Sequence, residues 1–165
     1  MYEFMEEKIV REDSIKKVLF DAIMDSSSSS LVRDVPLYQD VYHLLGTVRC
    51  VSLLAAKRNM DKETAVTAML LHDISRLKDG SNVNHALKSS AMAEQILKNN
   101  GNFTKEEINL ITSAIRKHVE KDKIDTDFDE LIKDADLLDG YLNDEKSVSS
   151  SLKERLNKIL TEVGL

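Results

Sequence analysis

The 165 residues include one cysteine, Cys50, one proline, Pro36, five glycines and no tryptophan. A single cysteine excludes an intrachain disulfide and suits a reducing compartment, so a cytoplasmic location is expected. So few prolines and glycines cannot supply the many tight turns of an all-β sandwich or barrel. No run approaches the roughly 20 apolar residues of a membrane span. The opening MYEFMEEKIVRED is charged throughout, unlike a secretory leader, and no membrane partner is expected. Basic blocks are missing too. The net charge is −6 and aromatics make up 5%, which offers neither the basic face nor the stacking platform of a nucleic-acid binder.

What is present is a helical composition, rich in Ala, Leu, Lys and Glu. The length suits one domain with a full core. Apolar residues at Phe4, Met5, Ile9, Val10, Ile15, Val18, Leu19 and Ile23 predict a first helix over about 3–24, with a break near Asp13-Ser14 where a new cap can sit. The serine run Ser26–Ser30 predicts a solvated loop, since serine runs neither pack nor hold a helix. Pro36 ends it. Further helices are predicted over about 37–59, 61–75, 85–98, 104–120, 128–141 and 146–163. Asp61 is the expected N-cap of the third, and Thr104 with Glu107 spells a capping box for the fifth. Leu77–Asn84 reads as a turn. The last helix carries Val148, Leu152, Leu156, Ile159 and Leu160 on one stripe, facing its own core or a second copy. No strand and no internal repeat is expected: this is an all-α chain of six or seven helices.

The four histidines, His43, His72, His85 and His118, all fall in or beside predicted helices. His43 shares a face with Gly46, Thr47 and Cys50. A glycine within a helix costs roughly 1 kcal/mol against alanine, so Gly46 points to close approach by a neighbour. His72 lies on the inward line of Ala65, Ala68 and Met69. His118 continues the core stripe Ile108, Ile111, Ile115. Inward imidazoles need partners, and a shared metal is the simplest one for several of them. Carboxylates are at hand: Asp73 follows His72, and KDADLLDG places Asp134, Asp136 and Asp139 among apolar neighbours.

In this arrangement the chain resembles the HD superfamily of metal-dependent phosphohydrolases. The resemblance rests on His43 in HLLGTVRCVSLLAAKRNM, His72-Asp73 in DKETAVTAMLLHDISR and Asp136 in KDADLLD, and it spans roughly 41–142. It implies a single domain over 1–165. Within it, 1–36 is an N-terminal helix and serine-rich loop, 37–142 a metal-binding core and 143–165 a C-terminal helix. Many members add two histidines that hold a second metal, and His85 and His118 occupy those places. The resemblance thus implies the ligand set His43, His72, Asp73, His85, His118 and Asp136. It implies one or two divalent transition-metal ions (Mn, Fe, Zn, Ni or Co), with Asp73 bridging if there are two. Asp73, Arg76 and Asp139 are the candidate catalytic groups, Asp139 as holder of a ligand histidine or as proton relay. Arg76, Lys78 and Lys88 are candidate phosphate contacts, with Arg49 or Lys117 beside them.

Within the superfamily, the His-x-x-Gly-Thr stretch is similar to bacterial diadenosine tetraphosphate hydrolases, although the interval from Asp73 to His85 is shorter here. Gly140-Tyr141 is not followed by Pro, unlike the cyclic-di-GMP branch, and no Glu-Asp pair follows His-Asp as in guanosine-tetraphosphate hydrolases. The leading expectation is hydrolysis of a nucleotide or other small phosphoester by a metal-activated water. Three alternatives stand beside it. They are a non-catalytic sensory domain binding metal or nucleotide, a di-iron oxygenase-type protein, and a plain helical interaction module with coincidental histidines. A homodimer is compatible with all of them.

Overall fold

A computed structural model describes residues 2–165, with side chains from Arg11 onward, Ser147 excepted. The apolar stripe expected at Phe4, Met5, Ile9 and Val10 therefore lies outside the described side chains. The elements in chain order are α1 (Tyr2–Ser28), α2 (Leu37–Lys57), α3 (Lys62–Leu71), α4 (Ile74–Asp79), α5 (His85–Asn100), α6 (Lys105–Lys117) and α7 (Asp127–Asn143). Two 3-10 turns, Glu145–Ser147 and Ser150–Leu152, lead into α8 (Lys153–Val163). No strand occurs among the described residues, and no helix there is long and apolar enough to cross a membrane.

α3 is the axis of the fold. Eight of its ten residues are buried, on all sides, so it reads as a helix enclosed by others rather than an amphipathic surface helix. Around it pack Val51, Leu54 and Ala55 of α2, Ile111, Ala114 and Ile115 of α6, and Leu131, Ile132 and Ala135 of α7. α1 closes the core with Ile15, Leu19 and Ala22. α8 buries Leu156 and Ile159, with Leu152 and Leu160 packed alongside, so its stripe faces this chain's own core.

The ends of the helices follow local chemistry. Asp61 accepts from the Thr64 backbone N–H at 2.9 Å, as its N-cap position requires. Thr104 and Glu107 form a reciprocal capping box on α6, and Thr126 with Asp129 forms a second on α7.

Three local expectations are corrected. α1 does not break at Asp13-Ser14. Ser14 Oγ instead donates to the Arg11 carbonyl within the helix and receives Asn100 Nδ2 from α5. The serine run does not begin as a loop. α1 continues through Ser28, with Ser27 and Ser28 hydroxyls bonding carbonyls three residues back and Ser26 buried against Arg33. The third helix stops at Leu71 instead of Ser75. A separate short helix, α4, occupies part of the expected turn.

Gly46 lets α7 approach α2. A Cβ on it would lie 1.8 Å from Asp139 Oδ1. Gly46→Ala is therefore expected to destabilise by about 1–3 kcal/mol through overpacking, despite the better helix propensity of alanine. Urea unfolding of the metal-free protein reads this directly. A variant as stable as the wild type would show that Asp139 can yield without loss.

Candidate metal centre

The break between α3 and α4 builds the centre. On a continuous helix neighbouring residues point about 100° apart and do not face one site. Here Asp73 leaves helical geometry, at φ −117°, ψ 22°, and becomes the residue before α4. His72 ends α3 and Asp73 opens α4, so the two side chains can turn to the same point.

The other three imidazoles arrive from α2, α5 and α6, and each is fixed through Nδ1. His72 Nδ1 lies 2.6 Å from the Met69 carbonyl, His118 Nδ1 2.7 Å from that of Ile115, and His85 Nδ1 3.0 Å from that of Asn82. All three acceptors stand three residues back. For His72 and His118 they are carbonyls of a last helical turn, and that of Ile115 also accepts the His118 backbone N–H. Asn84, in the left-handed region at φ 54°, makes the turn that lets His85 reach Asn82. His43 Nδ1 donates to Asp139 Oδ2 at 2.7 Å. A carbonyl or carboxylate at Nδ1 holds the proton there and leaves Nε2 for a ligand.

The four Nε2 atoms converge on Asp73. Its Oδ2 lies 3.5 Å from His72 Nε2 and 3.8 Å from His43 Nε2. Its Oδ1 lies 3.5 Å from His85 Nε2 and 3.7 Å from His118 Nε2. The result is two ligand groups, His43-His72-Asp73 and Asp73-His85-His118, each with donor atoms mutually within 4.8 Å and sharing one carboxylate. Asp136 Oδ1 joins the first group, 3.1 Å from His43 Nε2. Asp73 Oδ1 is buried and accepts no hydrogen bond. A carboxylate oxygen opposed by imidazole lone pairs is repulsive until a cation stands between them. The residues present therefore fit divalent metal ions of the nitrogen- and oxygen-binding kind.

The electrostatics agree. Burial pulls the His118 imidazole down to about 4, and it drives His72 downward as well. Both are neutral and able to ligate. Burial also opposes charge on His43, but hydrogen bonds to Asp136 and Asp139 outweigh it and lift this imidazole to about 10. Protonated His43 then joins Arg76 and Lys121 as a positive charge beside the carboxylates. Burial likewise opposes ionisation of Asp136, but the Lys121 ammonium and His43 hold it well below the usual carboxylate range.

Of the further sequence-derived candidates, Arg76 reaches the centre: its Nη1 donates to Asp73 Oδ2 at 2.8 Å. Asp139 lies behind His43, on the Nδ1 side, and so holds the ring rather than facing the other imidazoles. Lys88 bonds Asp79, and Lys117 bonds Asp125 and Asp129, so carboxylates outside the cluster engage both ammonium groups. Lys78 is exposed on α4. Arg49 lines a cleft of about 280 Å³ on the outer side of Asp139, with Tyr42 and Asn143. Asp134 is buried against Arg58 and Arg155, tying α7 to α2 and α8. Two groups escape a reading of the sequence. Lys121, three residues after His118, donates to Asp136 Oδ2 at 2.5 Å. Asp40 holds Arg76 Nη2 at 2.5 Å. Asp40 looks like an ordinary first-turn acid of α2, and Lys121 like a solvated loop lysine.

The HD domain model matches residues 40–141, well over half of the chain and inclusive of all six ligand candidates. The chain belongs to the HD domain family. A crystal structure of a predicted HD superfamily hydrolase from an uncultured Thermotogales bacterium superposes with a TM-score of 0.62 at 21% identity. The alignment covers 90% of this chain and 86% of that one, a likeness of fold. No curated protein matches the sequence.

His72 and His118 enter the fold neutral, whereas an unfolded imidazole titrates near about 6.5. The unfolded chain therefore binds more protons below that pH. This contribution to stability is complete above about 6.5 and is lost as pH falls toward about 4. His43 acts in the opposite sense: folded, it keeps its proton up to about 10, so its contribution grows as pH falls toward the unfolded value of about 6.5 and offsets part of that loss near neutrality. Thermal melts of chelator-treated protein are expected to fall steadily from about pH 6 to 5, where the two neutral imidazoles outweigh His43. A melting temperature constant over that range would contradict the buried neutral pair.

Proposed function

We propose that the protein is a metal-dependent phosphohydrolase acting on a nucleotide or other small phosphoester in the cytoplasm. The observation that carries this reading is the division of Asp73. One buried carboxylate faces two pairs of imidazole Nε2 atoms, and its Oδ1 lacks any hydrogen-bond donor. His43, His72 and Asp136 would hold one divalent ion and His85 and His118 the other, with Asp73 between them. Ions so bound polarise phosphoryl oxygens and bring the pKa of water toward neutrality.

The chain's own groups prepare the rest. Asp139 fixes the His43 ring with Nε2 inward. Lys121 compensates the charge of Asp136. The Arg76 guanidinium, at the edge of Asp73 and 17% exposed, is the group placed to take a phosphoryl oxygen. His43 and His85, at 24% and 19% exposed against 0% and 2% for His72 and His118, lie toward the side open to a substrate.

Mass spectrometry of the purified untagged protein is expected to find about two divalent ions per chain, as in two-metal phosphoryl-transfer sites. His118→Ala should lose at least one, and His72→Ala should abolish hydrolysis across a panel of nucleotides and phosphomonoesters. Metal-replete protein that cleaves no phosphoester would favour a sensory role. Iron-specific oxygen consumption would favour the oxygenase reading. Asp139→Asn is expected to weaken metal affinity by about 10–100-fold while leaving the ligand set intact, as loss of a ligand-orienting carboxylate does. Competition with a chelating dye measures it.

A further inference from the structure

Asp40 stands in the first turn of α2, buried, with each oxygen taken by a different arginine. Oδ1 accepts from Arg76 Nη2 at 2.5 Å and Oδ2 from Arg33 Nη2 at 2.8 Å. Arg76 Nη1 reaches onward to Asp73 Oδ2, the oxygen that faces His43 and His72. Arg33 does more than pair with Asp40. It donates to Ser26 Oγ at 2.6 Å and to the carbonyls of Arg76 and Leu77 at 2.6 and 3.2 Å. The segment before α2 is pinned again where Asp34 N–H donates to the Gly80 carbonyl and Asp34 Oδ2 accepts from Asn82 N–H. Gly80, at φ +71°, leaves no room for a side chain against Arg33. Asp40 is thus held rigidly, and Arg76 is held through both its carbonyl and its side chain.

Burying a carboxylate between two guanidiniums carries a desolvation cost that apolar packing would avoid. The arrangement has a consequence at the centre. Asp40 and Asp73 each take one N–H of Arg76, and a guanidinium carries five. With Nη2 held on Asp40, the remaining N–H groups are not committed to either carboxylate. The guanidinium then stands beside the centre with donors free, in the planar fork that suits a phosphoryl group.

We propose that Asp40 is a positioning residue: it anchors Arg76 beside the centre, so that the remaining donors of the guanidinium grip a phosphoryl oxygen. The inference rests on the phosphohydrolase reading for its substrate class, but its test does not require turnover.

Inorganic phosphate is titrated calorimetrically into the Mn²⁺-loaded protein, with metal content measured on the same samples. Asp40→Asn and Asp40→Glu are each expected to weaken phosphate binding by about tenfold, the worth of one charge-assisted hydrogen bond. The metal content should stay that of the wild type. On an Arg76→Ala background the Asp40 substitutions should add nothing, because they act through that guanidinium. Where Asp40→Asn fails to fold, Asp40→Glu and its double variant with Arg76→Ala carry the same cycle. Wild-type phosphate affinity in the Asp40 variants, an equal loss with and without Arg76, or no phosphate binding by the wild type would overturn the proposal. Failure of the hydrolase reading shows separately, as Asp40-dependent phosphate binding without cleavage of any phosphoester.

Discussion

The carboxylate of Asp73, buried and faced on both oxygens by imidazole nitrogens, is the point about which the molecule is arranged. Left alone, such a group is costly: its charge is removed from water and its Oδ1 finds no donor. The helices nevertheless deliver it there, by interrupting α3–α4 at the one place where two neighbouring side chains must share a site. The enclosed α3 and the fixed ends of α5 and α6 serve that placement. A cation is what turns the arrangement from repulsive to attractive, so the metal preference of the fold is written in its unsatisfied electrostatics.

Around this carboxylate the protein repeats one device. Three imidazoles bond a carbonyl three residues back through Nδ1, and the fourth bonds a carboxylate. For the buried, neutral His72 and His118 the bond places the ring proton on Nδ1 and turns Nε2 toward Asp73. Orientation is thereby supplied by secondary structure itself. His43 is the exception in both partner and charge. Its carboxylate neighbours keep it protonated without metal, so binding there is an exchange of a metal ion for a proton.

A second layer of charge surrounds the ligands. Lys121 balances Asp136, Arg76 balances Asp73, and Asp40 with Arg33 balances and fixes Arg76. These pairs are mostly buried, where a broken partnership costs far more than the pair itself contributes. Their value lies in geometry. They hold two cationic side chains beside the carboxylates of the centre.

Helix periodicity, the Thr104–Glu107 capping box and the ordered set His43, His72-Asp73, His85, His118, Asp136 are local or pattern properties. They were therefore legible in the sequence, as was the close approach implied by Gly46. The break at His72-Asp73 was not, because apolar periodicity runs through Ala68–Leu71 with no glycine or proline to mark its end. The serine run misled for a related reason. Its composition favours a loop, but Arg33 and back-bonded hydroxyls carry the helix to Ser28. Asp40, Arg33 and Lys121 carry no local signal at all. Each acquires its role from partners distant in the chain, and only packing brings such charges together. The sequence alone thus determined the all-α class and which imidazoles and carboxylates are candidate ligands. The tertiary structure decided which charges face those ligands, because a buried ion pair depends on the path of the backbone and not on the spacing of residues along it.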